Sequence, residues 1–178
     1  MTDFSAANPP SAFIARWVSR RPAQFPRGAR ALDVACGRGR HSLLMAAAGF
    51  RTIGIDMHYD VVLGTKHAAQ AAGLDLELVC ADLTALPLPR DHFHLIVVTR
   101  YLDRALFPTL RDALVPGGVL LYETFTERQR KHGWGPTSRA HLLQPGELRM
   151  LTRGMDVLYD EEVYLPEAVA RIAARRRD

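Results

Sequence analysis

The sequence predicts an α/β protein built on a doubly wound, mostly parallel sheet, and three observations carry that expectation. The stretch ALDVACGRGR, residues 31–40, runs from an apolar strand through Gly37 and Gly39 into the start of a helix. Downstream, apolar runs of strand length alternate with segments of helical spacing, the rhythm of parallel strands joined by helices. Three acids, Asp33, Asp56 and Asp82, recur in or just after successive strand-like runs. In open α/β sheets the carboxyl ends of the strands are where ligands bind.

Taken in order, residues 1–10 are expected to be disordered, with Asn8-Pro9-Pro10 as a stop. Phe13, Ile14, Trp17 and Val18 fall at helical spacing and predict a helix over 11–20, lying over the ligand cleft or the sheet. A loop with two prolines follows. The first strand is 31–35. The first core helix is 40–48, stopped at Gly49, a glycine past a helix end. The second strand is 51–55, closed by Asp56; a helix over 59–72 stops at Gly73; the third strand is 76–80, with Asp82 just beyond. The fourth strand is 94–99. A helix restarted by Pro108 at a first-turn position is expected to end at Pro116-Gly117-Gly118, and the fifth strand to cover 119–124. Residues 133–146 show no periodicity. A short helix at 147–151 and a strand at 155–164 follow. The segment 168–176 has helical composition, yet its neighbours favour a strand.

Composition bounds the function. The 178 residues suggest one domain over 1–178, with its core at 31–176. Cys36 and Cys80 are the two cysteines, and the seven histidines have no ligand spacing, so no metal is expected. No run reaches the roughly 18 apolar residues of a membrane span, and residues 1–13 lack the features of a signal peptide. A cytoplasmic protein without a membrane partner is expected. The net charge is +4, and the cluster of Arg171, Arg175, Arg176 and Arg177 reads as a solvated basic tail.

The glycine turn is a nucleotide-binding corner, because free backbone N–H groups and the helix dipole converge there. A dinucleotide fingerprint needs a third glycine where Ser42 stands, and it has no place for Asp33. The run D-V-A-C-G-R-G instead resembles the first motif of class I S-adenosylmethionine-dependent methyltransferases, matched by Asp33, Gly37 and Gly39. DHFHLIVVTRYL resembles that family's fourth motif, and LVPGGVLLYETF the next. A narrower stretch, LLQPGELRML followed by DVLYDEE, is similar to the tail of the small tellurite-resistance-type methyltransferases.

The resemblance implies a Rossmann-like, seven-stranded sheet with helices on both faces and an antiparallel final strand between the fifth and sixth. It implies S-adenosylmethionine as cofactor, held by Asp33, Ala35, Gly37, Gly39, Asp56, Asp82, Leu83 and Thr99. Asp56 would take the ribose hydroxyls, since a carboxylate accepts a vicinal diol with two oxygens. Asp82 and the Leu83 N–H would take the adenine. The acceptor is expected to be a small molecule, bound by Arg100, Tyr101, His132 and Trp134 under a mobile lid over 125–145. Tyr101 and Glu123 are the catalytic candidates, and soft nucleophiles need neither, because the leaving group is already good. His41 is a helix-start neighbour rather than a base. Asn8-Pro9-Pro10 precedes the first strand, where an amino-methylating motif cannot act, so no nucleic-acid partner is expected. The chain is expected to be a monomer or homodimer. The alternative is a module or adaptor that binds the cofactor without catalysis.

Overall fold

The computed structural model describes residues 9–20 and 25–178. The expected disorder over residues 1–8 and the start of the proline loop at 21–24 lie outside the described residues. Helix α1 (Ala12–Ser19) is followed by β1 (Arg30–Val34), α2 (Arg40–Ala47), β2 (Arg51–Asp56), α3 (Tyr59–Ala71), β3 (Leu76–Cys80) and β4 (Phe93–Thr99). Then come α4 (Phe107–Ala113), β5 (Leu114–Phe125), α5 (Glu147–Leu151), β6 (Asp156–Val163) and β7 (Val169–Arg175). The seven strands form one sheet in the order β3-β2-β1-β4-β5-β7-β6. β1, β2 and β3 pair in parallel, while β7 runs antiparallel to both β5 and β6. The expected Rossmann-like sheet, with its inserted antiparallel strand, is the observed one.

The chain packs as two units, Met1–Pro87 with Phe93–Val97, and Leu88–His92 with Val98–Asp178. β1 is buried along most of its length and β4 is buried from Leu95 to Val98. Such strands need continuous apolar sequence, and ALDV and LIVV supply it. β3, at the end of the strand order, is largely exposed. Glycines in left-handed backbone stop the helices: Gly49 (φ 86°) follows α2 and Gly73 (φ 64°) follows α3. Helix α1 buries Phe13, Ile14 and Val18. It rests on α2 rather than on a cleft: the Ser11 N–H donates to His41 Nε2 (3.0 Å), and Arg40 reaches the Pro9 carbonyl (3.0 Å).

The second unit corrects three expectations. Pro116-Gly117-Gly118 does not end a helix. Helix α4 stops at Ala113, and β5 begins at Leu114 and carries the three residues within it. The reason is the partner strand's extension: the Gly117 N–H donates to the Arg176 carbonyl (3.1 Å) and the Arg176 N–H to the Gly118 carbonyl (2.8 Å). Pairing with a distant segment overrides the local turn signal. The terminal arginines are not a solvated tail either. Arg171 bonds Glu123 and Glu161, Arg175 and Arg177 bond Asp156, and Arg176 bonds Asp91 and the carbonyls of Asp112 and Leu114.

The third correction concerns the stretch after β5. It is a fastened crossover, with a 3-10 turn at Glu127–His132 and another at Arg139–His141. Leu142 and Leu143 are fully buried, and Phe125, Leu142, Val163 and Val169 pack together. Leu143 exchanges backbone bonds with Phe125 (3.0 Å) and Glu127 (2.9 Å). Arg104 grips it from below: Nε and Nη2 bond the two oxygens of Glu147 (2.6 and 3.1 Å), and Nη1 and Nη2 bond the carbonyls of Ala140 and Leu142. That pairing holds the Glu147 carboxyl below its ordinary range.

Candidate functional site

In the first unit, the turn after β1 places three residues in left-handed backbone: Ala35 (φ 53°), Gly37 (φ 54°) and Gly39 (φ 72°). The two glycines serve different ends. A Cβ on Gly39 would overlap the Thr65 methyl, so that glycine lets α3 approach the turn. A Cβ on Gly37 would meet nothing within 4 Å; its side of the turn is open. Thr65 also donates to the Gly37 carbonyl (3.1 Å), fixing the turn from behind.

The acids take distinct places. Asp56 ends β2 and accepts the Gly37 N–H on one oxygen (2.8 Å) and the His58 N–H on the other (3.0 Å). A carboxylate has about four lone-pair directions, so each oxygen keeps capacity for another donor. Asp33 is buried within β1 and accepts the Ser42 hydroxyl at 2.5 Å. Burial raises its carboxyl to about 7 against the opposing pull of Ser42. Burial likewise pushes the Cys36 thiol up, leaving it an inert packing group. Asp82 is exposed; its Oδ1 accepts the N–H and hydroxyl of Thr84 (2.9 and 2.8 Å), which lowers its carboxyl, and Leu83 beside it is buried. Ser42 and Thr65 were invisible in the sequence as members of this turn. The one clue was Ser42 standing where a third glycine would be.

In the second unit, Thr99 ends β4 and Arg100 follows with φ 55°. The Arg100 N–H donates to the Glu123 carbonyl (2.9 Å), and its guanidinium meets Glu167 (3.1 Å). Tyr101 is half-buried, and its carbonyl accepts the Tyr122 hydroxyl (2.9 Å). Glu123 is buried in β5 and bonded to Arg171 at 2.5 Å, its register partner on β7. His132 closes a 3-10 turn. Trp134 is 49% exposed and stands edge-on to Phe125, its carbonyl held by the buried Gln129. Gln129 also accepts the Ala168 N–H (2.8 Å), so one side chain ties the crossover to the start of β7. Among the described residues, no cluster of three or more His, Cys, Asp or Glu side chains could hold a metal ion, and no helix is long and apolar enough to cross a membrane.

A strand, a left-handed glycine turn and an acid closing the next strand meet around Gly37. A family model described as a methyltransferase domain matches residues 31–118, which span β1 through the first part of β5. Residues 31–118 are therefore similar to a methyltransferase domain. A structure of an S-adenosylmethionine-dependent methyltransferase from Mesorhizobium loti superposes with a TM-score of 0.69 at 24% identity, covering 91% of this chain and 98% of that one. TehB from Haemophilus influenzae superposes at 0.70 with 17% identity, over 84% of this chain and 58% of its own. These likenesses are of fold. A ribosomal protein L11 methyltransferase from Bordetella parapertussis is 27% identical over 128 residues, 70% of this chain. The chain spans 39% of that relative's length.

Proposed function

We propose that this chain transfers a methyl group from S-adenosylmethionine to a small-molecule acceptor. The observation that carries the reading is Gly37: left-handed backbone, an N–H fastened to Asp56, and open space where a side chain would be. A ligand's methionine portion can approach such backbone closely. In this reading Asp33, Ala35, Gly37 and Gly39 build the floor of the cofactor site. The remaining lone pairs of Asp56 take the ribose hydroxyls, Asp82 Oδ2 and the Leu83 N–H take the adenine, and Thr99 borders the site.

When bound, the cofactor supplies an electrophilic methyl on a sulfonium, which leaves as a neutral thioether. The chain's own task is to hold the acceptor's nucleophile in line and free of water. Arg100, Tyr101, His132 and Trp134 are the acceptor-side residues. Tyr101 is the first candidate to orient the nucleophile. Glu123 is the second, because Arg171 already occupies its Oε2. The proposal takes the chain as one methyltransferase domain over 1–178, working in the cytoplasm as a monomer or homodimer.

A protein acceptor is the second reading, favoured by the similarity to the ribosomal protein L11 methyltransferase of Bordetella parapertussis. A screen measuring S-adenosylhomocysteine release from small acceptors and from ribosomal protein L11 separates the two. Turnover with the protein alone would overturn the small-molecule reading. Thermal stabilisation by NAD and not by S-adenosylhomocysteine would overturn the cofactor site.

A further inference from the structure

Arg100 is held in a conformation that costs free energy. A non-glycine residue at φ 55° costs about 1–3 kcal/mol and persists only where its surroundings impose it. Here the bond from its N–H to the Glu123 carbonyl imposes it. The side chain is thereby carried over the Phe125 ring, 5.7 Å from guanidinium carbon to ring centroid. Trp134 stands edge-on against the same ring at 5.9 Å.

The guanidinium is only partly used. Its Nη2 alone serves both oxygens of Glu167 (3.1 and 3.3 Å), an end-on contact. Nε and Nη1 have no partner among the described residues, and the Arg100 side chain is 41% exposed. Arg104 shows the contrast in the same unit, since its Nε, Nη1 and Nη2 all donate and two of them fork onto Glu147. A guanidinium offers five N–H donors in a planar fork that matches a carboxylate with two parallel bonds. On Arg100 the Nε–Nη1 side leaves donors open, above an aromatic face.

We propose that Arg100 recognises a carboxylate on the methyl acceptor, and that Glu167 is an internal carboxylate which the acceptor's own displaces. The inference rests on the small-molecule methyltransferase reading and narrows it to acids carrying a flat, apolar body that can lie against the exposed Trp134. Glu167 guards the arginine in the resting protein. It is the weaker partner by geometry, because an end-on contact through one nitrogen gives way to a two-nitrogen fork.

Calorimetry on the full chain saturated with S-adenosylhomocysteine tests this, with benzoate and benzamide as probes. Benzoate is expected to bind about tenfold more tightly than benzamide, a charge-assisted contact against a neutral one. Arg100→Met should erase that difference. Glu167→Gln should tighten benzoate several-fold and leave benzamide unchanged, which keeps the test intact even if the arginine variant folds poorly. Equal affinities in the wild type, or absence of benzoate binding, would overturn the proposal. So would weaker benzoate binding in Glu167→Gln, which would make Glu167 a buttress. Tighter binding of phenyl phosphate than of benzoate would overturn the carboxylate assignment. The S-adenosylhomocysteine dissociation constant is measured separately: if the wild type fails to bind it, the methyltransferase reading falls first.

Discussion

Three acids of the first unit and four of the second are held by different kinds of donor. In the first, Asp33, Asp56 and Asp82 are bonded to a hydroxyl or to backbone N–H groups. In the second, Glu123, Glu147, Asp156 and Glu167 are bonded to arginines. Asp56 and Asp82, held by neutral donors, keep spare lone pairs for a ligand, whereas burial makes Asp33 hold its proton up to about pH 7. A carboxylate held by a guanidinium is neutralised and serves as a fastener. The first unit therefore suits a ligand that donates hydrogen bonds, such as a ribose diol. In the second, Arg100 keeps donors open above the Phe125 ring.

The comparison breaks most visibly at Arg171. Arg171→Met should cost about 3–5 kcal/mol in denaturant unfolding, since it leaves the buried Glu123 charge without its partner. A loss below 1 kcal/mol would show that Glu123 is not held as an ion pair, and the fastener description would fail there.

Asp33 tests the other side through pH. Burial raises its carboxyl from 3.8 to about 7, so the native state keeps a proton that the unfolded chain gives up. Its contribution is fully present below about pH 4 and is lost as the pH rises to about 7. Asp33→Asn cannot ionise and should therefore overtake the wild type in stability across that window, by on the order of 3 kcal/mol at the upper end. Melting temperatures across the range read it, and identical slopes for both proteins would mean that Asp33 is charged in the native state.

The glycine pair gives a smaller, sharper contrast. Gly39→Ala drives a methyl into Thr65 as well as straining the backbone, whereas Gly37→Ala strains it alone. Unfolding should separate the two by about 2 kcal/mol, the cost of overpacking, with Gly37→Ala the more stable variant and yet the one that loses cofactor affinity. Equal stabilities would remove α3 as the reason for Gly39. The smallest effect expected is at Asp56. Asp56→Ala should weaken S-adenosylhomocysteine binding by about 1.5 kcal/mol, a charged hydrogen bond. An unchanged dissociation constant with the fold intact would take Asp56 out of the site.

The sequence displayed what local chemistry determines. The strand–glycine–helix corner, the stops at Gly49 and Gly73 and the short helix over 147–151 follow from residues a few positions apart. The placement of β7 between β5 and β6 was legible only through the family resemblance, because its alanine-rich composition favours a helix. What stayed hidden was set by distant partners. Pro116-Gly117-Gly118 is spelled as a turn and drawn straight by pairing with Arg176. Arg104 carries no local sign that it fastens residues 36 to 43 positions away. The dependence of Asp33 on Ser42 joins a strand to a helix face, and the open donors of Arg100 become visible only once its one partner is known.

The place of β7 also has a bearing on synthesis. It comes after β6 in the chain yet lies between β5 and β6 in the sheet. As the polypeptide leaves the ribosome, β6 is complete before the strand it must pair with exists. The edge of β5 then waits open beside a hydrogen-bonding strand that has nowhere to dock. Direct pairing of β5 with β6 is the natural error of that interval, since chains emerge N-terminus first and early segments associate with what is at hand. Val169–Arg175 must enter between them, and the bonds from Arg171 to Glu123 on one side and Glu161 on the other mark the correct insertion. Arg171 bonds the strands on both sides of its own in the finished sheet.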